Sequence, residues 1–267
     1  MKEFIKDFFE KERIEYYAAL SYSDMKRINE RLIEREKFDP RSVIVFLIPY
    51  YSRDGENISR YAVARDYHIF IKELAARFES VMKTAYPQYS FKGYGDHSPI
   101  DERYAALVGG LGVLGDNGLI INEKYGSYIF ISEIITDAPC ELVGAVGISE
   151  IARCERCGAC VKKCPTGALS DFSLDCLSSI TQRKGELADS EIELMKKYNT
   201  VWGCDECQAA CPHNRDPIKT PIEFFKSDII TRLDKNTLDS MDDEKFRERA
   251  YAWRGRKTVE RNIEKTR

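Results

Sequence analysis

Apolar and polar positions along the first half of the chain follow the periods of helices and strands in turn. Residues 2–15 place aromatic and aliphatic side chains at helical spacing, which predicts a short amphipathic helix. A second helical pattern covers about residues 23–36. The unbroken apolar run Val43–Ile48 comes next, and it predicts a strand that is buried on both faces.

The longest helical pattern covers Asp66–Ala85, where apolar residues recur at intervals of three and four. The dipeptide Ser98-Pro99 resembles an N-cap followed by a first-turn proline, and it predicts a helix that ends at Val108. A hairpin-like pair of strands is predicted at about residues 119–122 and 127–135. This order of elements predicts an α/β (α+β) layer before residue 150.

Seven of the nine cysteines fall into two short runs. The first run has the spacing C-x₂-C-x₂-C-x₃-C-P, and the second has C-x₂-C-x₃-C-P. The first spacing is that of bacterial ferredoxins, in which the fourth thiolate binds the other of two clusters. Zinc is the alternative, but zinc sites usually combine two separated pairs of ligands. The sequence therefore predicts two 4Fe–4S clusters.

Two 4Fe–4S clusters need one thiolate more than the two runs supply. Cys176 lies between the runs and Cys140 precedes them, so Cys176 is the expected eighth ligand and Cys140 a small buried residue. By ferredoxin logic, the proximal cluster is held by Cys154, Cys157, Cys160 and Cys211. The other cluster is held by Cys164, Cys176, Cys204 and Cys207.

The cysteine runs divide the chain into three expected parts. An α/β domain covers residues 1–149, a ferredoxin-like domain with both clusters covers residues 150–220, and a basic helical tail covers residues 221–267. In the last 23 residues, Lys245–Arg267, nine Lys and Arg face three Glu. This segment is either a solvated helix or an edge that contacts phosphates.

Composition narrows the classes of protein that remain. The net charge of −3 gives no general attraction to nucleic acid, and no apolar run approaches the roughly 18 residues of a membrane span. Nine cysteines without a secretion signal favour a reducing compartment and metal ligation over disulfides. A cytoplasmic protein is therefore expected.

The glycines Gly110, Gly112 and Gly115 match G-x-G-x-x-G, the fingerprint of dinucleotide-binding folds. That motif requires a strand before the glycines and a helix after them, whereas this sequence predicts a helix before and strands after. A nicotinamide site is therefore not expected, and the glycines are interpreted as tight turns or as a close approach to a flat ligand.

Asp96 lies in a turn, Gly93–Pro99, directly before a predicted helix. Its carboxyl is either a turn or capping group, or an acid that is held at the floor of a pocket to deliver a proton. Burial beside apolar Ile and Leu side chains would raise its pKa and keep that proton available near neutral pH.

Several segments, in order, resemble tRNA epoxyqueuosine reductases over roughly residues 39–263. They are Ser59–His68, Asp96–Glu102, Gly110–Gly112, Tyr125–Ser127, Glu133–Thr136, the first cysteine run, Gly203–Gln208 and Trp253–Asn262. The S-R-Y-x-x-x-R-D-Y-H run together with the compound cysteine pattern is specific. The resemblance implies a reductive-dehalogenase-like arrangement with base-off cobalamin, to which the two clusters pass electrons. The implied reaction removes an epoxide oxygen from a nucleoside in the tRNA anticodon loop.

The same resemblance implies roles for individual residues. Asp96 matches the acid that protonates the departing oxygen, and Ile120 and Ile131 match residues that line the corrin ring. The full set of expected cobalamin contacts is Tyr61, Asp96, Ile120, Ile131, Ser178 and Asp205. The motif D-x-H-x-x-G, which supplies a His to cobalt in other cobalamin proteins, is absent, as a base-off site requires.

Three hypotheses follow. The first is a tRNA epoxyqueuosine reductase that contacts tRNA through its basic tail and takes electrons from an external donor. The second keeps the cofactors but acts on a small epoxide or organohalide. The third is an iron–sulfur electron carrier without cobalamin. Asp96 separates the carrier from the two enzymes, because a carrier has no use for a proton donor, and salt-dependent tRNA binding separates the enzymes from each other.

Overall fold

The computed structural model describes all 267 residues, and the chain divides into two compact units. The first unit comprises residues 1–49 and 68–155, and the second comprises residues 50–67 and 156–267. No helix is both long and apolar enough to cross a membrane. The predicted three-part division at residues 149 and 220 stays a prediction.

The first unit is a layered structure of short helices around an antiparallel sheet. Its helices are α1 (Lys2–Lys11), α2 (Glu30–Glu34), α3 (Tyr67–Ala85), α4 (Glu102–Val108) and α5 (Cys140–Val143). Its strands are β1 (Tyr17–Ser21), β2 (Ser42–Pro49), β3 (Phe91–Tyr94), β4 (Val113–Leu114), β5 (Ile120–Ile121) and β6 (Ile129–Thr136). The main sheet has the order β1-β2-β6-β3, with every pair antiparallel, and β4 pairs with β5 separately.

Strand β2 confirms the prediction of a strand buried on both faces. It pairs with β1 on one side and with β6 on the other, and all eight of its residues are buried. Val45 belongs to a core cluster with the α4 residues Ala105 and Ala106. On the opposite face, the ring centroid of Phe46 lies 5.0 Å from that of Phe9 in α1. The continuous apolar run is therefore needed because helices cover both faces of this strand.

The helix predicted over residues 23–36 is largely wrong. Only Glu30–Glu34 is α-helical, after a short 3₁₀ turn at Tyr22–Asp24. The backbone between these two elements forms hydrogen bonds with residues far along the chain instead. Ile28 N donates to the carbonyl of Pro99, and Asp101 N donates to the carbonyl of Lys26. These long-range bonds compete with helical bonds and cannot be read from local periodicity.

The predicted N-cap at Ser98 is also wrong. Helix α4 begins at Glu102, and its N-cap is Asp101, whose carboxylate accepts a hydrogen bond from Tyr104 N at 3.0 Å. The Ser98 hydroxyl instead donates a hydrogen bond to the Glu133 carboxylate. Both Ser and Asp are good caps, so the choice depends on the tertiary partner that occupies the serine.

The two strands predicted as a hairpin both exist, but they belong to different sheets. Strand β5 pairs with β4, and strand β6 pairs with β2 and β3. Only a single bridge between Asn122 and Gly126 links the two segments directly.

The second unit is built from short helices. They are α6 (Ala159–Lys163), α7 (Leu177–Gln182), α8 (Asp189–Lys197), α9 (Glu206–Ala209), α10 (Lys235–Asp239), α11 (Asp243–Arg247) and α12 (Arg256–Thr266). Its main core surrounds Trp202 and Tyr251, and it also contains Val259 and Ile263 of α12. The C-terminal helix is therefore part of a packed core and not a frayed end.

Candidate cluster ligands and acid site

All cysteines of the two runs except Cys154 lie in the second unit, where the two runs are packed against each other. Helix α6 carries Cys160, helix α9 carries Cys207, and the two helices are in contact. The thiols of Cys176 and Cys207 lie close enough to Cys204 to act on its charge. Burial and, less strongly, these neighbouring thiols raise the pKa of Cys204 to about 12, so a bound cation is needed to hold this thiol as a thiolate.

Cys164 lies where its thiolate accepts several hydrogen bonds. Burial raises the pKa of this thiol, but hydrogen bonds from the backbone N–H groups of Leu169, Thr166 and Gly167 and from the Thr166 hydroxyl outweigh that effect, so the net pKa is lowered. Hydrogen bonds to the sulfur atoms are among the features that set the properties of iron–sulfur ligands. The residues present therefore fit an anionic, cluster-bound sulfur at this position.

Cys140 differs from the other eight cysteines. It lies at the start of α5, in the first unit, and its sulfur is 3.6 Å from the Ser42 hydroxyl and 3.5 Å from the Arg41 carbonyl oxygen. It is half-buried rather than fully buried. These local contacts support the interpretation that Cys140 is not a cluster ligand.

The turn that carries Asp96 connects β3 to α4 in the first unit. Asp96 has a left-handed backbone with φ of 60°, and its N–H donates to both carboxylate oxygens of Glu102, at 3.2 and 3.1 Å. Its Oδ2 lies 3.3 Å from Nε2 of His68 on α3. The side chain is 55% exposed, so the expected burial among Ile and Leu side chains is wrong for this structure.

The acids that surround Asp96 are Glu102, which is partly buried, and Glu133. Glu133 lies on β6 and is fully buried, with one oxygen accepting a hydrogen bond from Ser98 and the other, Oε2, without a hydrogen-bond partner. Burial raises the pKa of both glutamates, and the Asp96 carboxylate raises both further. Sequence analysis did not single out this pair, although an acid within the apolar run of β6 was an available signal.

The expected cobalamin contacts in the first unit besides Asp96 are apolar. Ile120 is buried in the core cluster that packs on β2, and Ile131 is partly buried against the same cluster. The first three residues of β6 are only partly buried, whereas the last five are buried. This end of the strand therefore presents incompletely covered apolar side chains, which fits the flank of a flat, largely apolar ring.

In the second unit, Asp205 is bound by the segment Ser59–Arg60. Its Oδ1 accepts from the Ser59 hydroxyl at 2.5 Å, and its Oδ2 accepts from Arg60 N at 2.7 Å. Gly203 permits this approach, because a Cβ there would lie 2.5 Å from Ser59 Cβ. Burial raises the pKa of Asp205, and the contacts to Ser59 and Arg60 oppose that rise.

Tyr61 and Ser178 also lie in the second unit. The Tyr61 hydroxyl accepts from Trp202 Nε1 at 2.8 Å, and Ser178 Oγ accepts from Gln182 Nε2 at 3.0 Å. A cavity of about 200 Å³ extends between Ser59, Asp205 and Cys204, with Tyr198 and Asn199 on its other wall. The structure thus places Asp205 and Cys204 on the lining of one cavity.

The basic tail contains two kinds of cation. Arg249, Arg256 and Arg261 donate to backbone carbonyls within the second unit and help to hold its fold. The exposed cations of the tail are Lys245, Arg247, Lys257, Lys265 and Arg267. Trp253 is 58% exposed, and the guanidinium of Arg254 lies 3.7 Å from its ring centroid.

Two family models match separate parts of the chain. One is described as a 4Fe-4S double cluster binding domain and matches residues 153–214. The other is described as epoxyqueuosine reductase QueG, DUF1730, and matches residues 33–96. The first match confirms the prediction of two 4Fe–4S clusters.

Epoxyqueuosine reductases are also found among the proteins with similar sequences. The chain is 32% identical over 209 residues to that of Leadbetterella byssophila, covering 74% of this chain and 67% of the relative. It is 36% identical over 164 residues to that of Pseudomonas aeruginosa, covering 59% of this chain and 44% of the relative. These matches span about half to two thirds of the relatives' lengths.

Solved structures of epoxyqueuosine reductases share this fold. One, in complex with an epoxyqueuosine-modified tRNA-Tyr stem loop, matches with a TM-score of 0.78 at 22% identity, over 99% of this chain and 80% of that chain. Another, from Bacillus subtilis with a catalytic aspartate loop swung out of the active site, matches with a TM-score of 0.73 at 22% identity. This match covers 99% of this chain and 81% of that chain. These structures show a shared fold, and the relative from Leadbetterella byssophila shows that the chain belongs to the epoxyqueuosine reductase family.

Proposed function

We propose that this chain reduces epoxyqueuosine to queuosine in tRNA, using base-off cobalamin and electrons passed through two 4Fe–4S clusters. The observation that carries the proposal is the packing of α6 against α9, which brings two cysteine runs together in a chain of this family. An external electron donor completes the reaction, because the chain itself supplies no net electrons.

The proposed cluster ligands follow the spacing of the cysteines. One cluster is assigned to Cys154, Cys157, Cys160 and Cys211, and the other to Cys164, Cys176, Cys204 and Cys207. The proximity of both Cys176 and Cys207 to Cys204 supports the second assignment.

The proposed contacts to cobalamin are Tyr61, Asp96, Ile120, Ile131, Ser178 and Asp205. When bound, cobalamin supplies low-valent cobalt as the reductant or nucleophile, while the protein supplies binding, orientation and protons. The partly buried Ile131 would flank the ring with apolar surface, and the buried Ile120 would support that flank from the core. Ser59 and Arg60 fix the carboxylate of Asp205, so this side chain is held in one orientation before any ligand arrives.

Asp96 is the proposed proton donor. Removal of the epoxide oxygen breaks both carbon–oxygen bonds, forms a carbon–carbon double bond, and releases water after the uptake of two electrons and two protons. A carboxylic acid beside the departing oxygen lowers the barrier by protonating it as the bond breaks. The N–H of Asp96 is held by Glu102 and its carboxylate lies beside His68, so the acid is anchored at two points.

Contacts to tRNA are proposed for the exposed part of the basic tail. Lysine and arginine side chains that are not engaged with backbone carbonyls are available to neutralise phosphates. The exposed ring of Trp253, stacked with Arg254, is a suitable platform for an unpaired base.

The test is an anaerobic assay with protein reconstituted with both clusters and cobalamin. The substrate is an anticodon stem loop that carries epoxyqueuosine, and mass spectrometry follows the loss of one oxygen from the nucleoside. Conversion that depends on cobalamin supports the proposal. If the stem loop is unchanged while a small epoxide or an organohalide is reduced, the tRNA assignment is wrong.

A further inference from the structure

The reaction proposed above consumes two protons in each turnover, whereas Asp96 carries one. Its side chain is 55% exposed, and Nε2 of His68 is the partner of its Oδ2. After its first proton is delivered, Asp96 must be re-protonated before it can act again. A second acid held close to Asp96 would supply that proton without waiting for solvent.

Glu133 is a buried acid with an incomplete set of partners. It is fully buried in the middle of the main sheet, opposite Tyr94 of β3 and Val45 of β2. Ser98 donates to one of its oxygens, and the other, Oε2, is buried without a hydrogen-bond partner. A buried, unpaired carboxylate oxygen is costly, and a proton shared with a second acid removes that cost.

Glu102 connects this buried acid to Asp96. Its two carboxylate oxygens accept from the N–H of Asp96 at 3.2 and 3.1 Å, and its carboxyl interacts with that of Glu133. Burial and the charges of Glu133 and Asp96 raise the pKa of Glu102. Burial and the charge of Asp96 raise the pKa of Glu133, and hydrogen bonds from Ser98 and Glu102 lower it. Tyr94 also faces Glu133. Three carboxyls that interact in this way repel one another when all are ionised, which favours the retention of a proton.

We propose that Glu102 and Glu133 share one proton at neutral pH and form the reserve from which Asp96 is re-protonated. The proposal rests on the proposed function. In the step, the O–H bond of the Glu102 carboxyl breaks and an O–H bond forms on the Asp96 carboxylate. No electrons move, and the pair regains its proton from solvent after turnover. Ser98 is a positioning residue that holds Glu133 in place.

The first test asks whether the shared proton exists, and it needs no activity. Infrared spectra of protein with ¹³C-labelled glutamate are recorded between pH 5 and pH 10 to follow the carbonyl band of a protonated carboxylic acid. We expect the wild type to keep one such glutamate at pH 8, and Glu102→Gln and Glu133→Gln to lose it. The exposed Glu141 provides a matched control, so Glu141→Gln should keep the band.

The variant Ser98→Ala tests the direction in which the protonated glutamate band shifts with pH. The Ser98 hydroxyl lowers the pKa of Glu133, so its removal should carry the protonated band to higher pH. Loss of the band at lower pH would contradict the arrangement of the pair.

The second test asks whether the proton is used. In the anaerobic assay with stem loop, Glu102→Gln should lower kcat by about 100-fold at pH 8 and by less at pH 6, with KM unchanged. A purely structural role would instead lower activity equally at both pH values.

The possible results separate this inference from the proposed function. If the wild type shows no protonated glutamate at pH 8, or if Glu102→Gln keeps the wild-type pH profile, the proton reserve is wrong. If the wild type does not reduce the stem loop at all, the proposed function is wrong, and the infrared titration still decides whether the pair holds its proton.

Discussion

Asp96 owes its position to a backbone conformation that few residues adopt. Its φ of 60° lies in the left-handed region, which Asp and Asn tolerate better than other residues with a side chain. The turn aims its carboxylate at His68, while its N–H is bound by Glu102. Asparagine at this position would keep the backbone and the shape but could not donate an acidic proton.

Asp96→Asn should therefore lower turnover of the stem loop by about 100-fold or more, while the absorption spectrum of the clusters stays unchanged. Asp39→Asn, at an exposed aspartate in the same unit, is the control and should have wild-type activity. Full activity in Asp96→Asn would show that another group protonates the oxygen.

The pKa of Glu133 predicts how stability depends on pH. Burial raises this pKa above the ordinary value of 4.5, so the folded state binds a proton that the unfolded state has lost. This contribution to stability is fully present below pH 4.5 and is lost as the pH rises through the folded-state value. Acids of this kind destabilise the fold at high pH.

Denaturation midpoints measured at pH 5, 6 and 7, between the unfolded and folded pKa values, should fall more steeply for the wild type than for Glu133→Gln. Glu141→Gln should follow the wild type, because that side chain is exposed. Parallel curves for wild type and Glu133→Gln would mean that the pKa of Glu133 does not differ between the folded and unfolded states.

At the scale of elements, β2 shows how burial on both faces of a strand requires apolar residues at consecutive positions. Its alternating residues pack on α4 from one side and on α1 from the other, so neither set can be polar. Leu47 of this strand is 0% exposed, whereas Leu142 of α5 is 40% exposed.

Leu47→Ala should lower the free energy of unfolding by about 2–5 kcal/mol, through lost burial and the cavity left behind. Leu142→Ala should change it by less than about 0.5 kcal/mol. Denaturant unfolding of both variants tests the comparison, and equal losses would contradict the assignment of β2 to the core.

The two cysteines outside the runs also differ at the scale of elements. Cys176 precedes α7 and lies beside Cys204, whereas Cys140 begins α5 in the first unit. Cys176 therefore has a cysteine neighbour that could share a cluster. The Cys140 sulfur instead contacts Ser42 and Arg41.

Cys176→Ser should lower the iron content from about eight to about four per chain, because one cluster loses a ligand. Cys140→Ser should keep about eight. Iron analysis and anaerobic absorption spectra measure both variants, and a cluster lost from Cys140→Ser would reverse the assignment.

At the scale of the whole molecule, an acidic chain is proposed to bind a polyanion. The net charge is −3, so binding would depend on the local excess of cations in the tail. The structure divides these cations, since three arginines hold backbone carbonyls and the exposed lysines and arginines remain available.

The affinity for the stem loop should fall steeply with salt, and Lys257→Gln and Lys265→Gln should each reduce the slope of log K against log salt by about one. Lys72→Gln, at an exposed lysine of α3, is the control and should leave the slope unchanged. Titrations at several salt concentrations measure these slopes. Wild-type slopes in both tail variants would exclude the tail as the phosphate contact.

The sequence by itself determined the features whose cause is local. The spacing of apolar residues predicted helix α3 and strand β2. A helix on a core buries one apolar stripe, and a strand between two layers of helices buries both of its faces. The cysteine spacing determined the clusters, because short fixed intervals let one loop place several thiolates around one cluster.

Only the tertiary structure decided the features that depend on distant partners. Ser98 was predicted to cap a helix, but its hydroxyl donates a hydrogen bond to Glu133, 35 residues further along the chain. The expected helix over residues 23–36 gave way to backbone bonds with residues 99–101. The acid pair of Glu102 and Glu133 likewise exists only because strand β6 and the start of α4 meet. Local sequence cannot specify such pairs, since their free energy comes from burial and contacts that form only on folding.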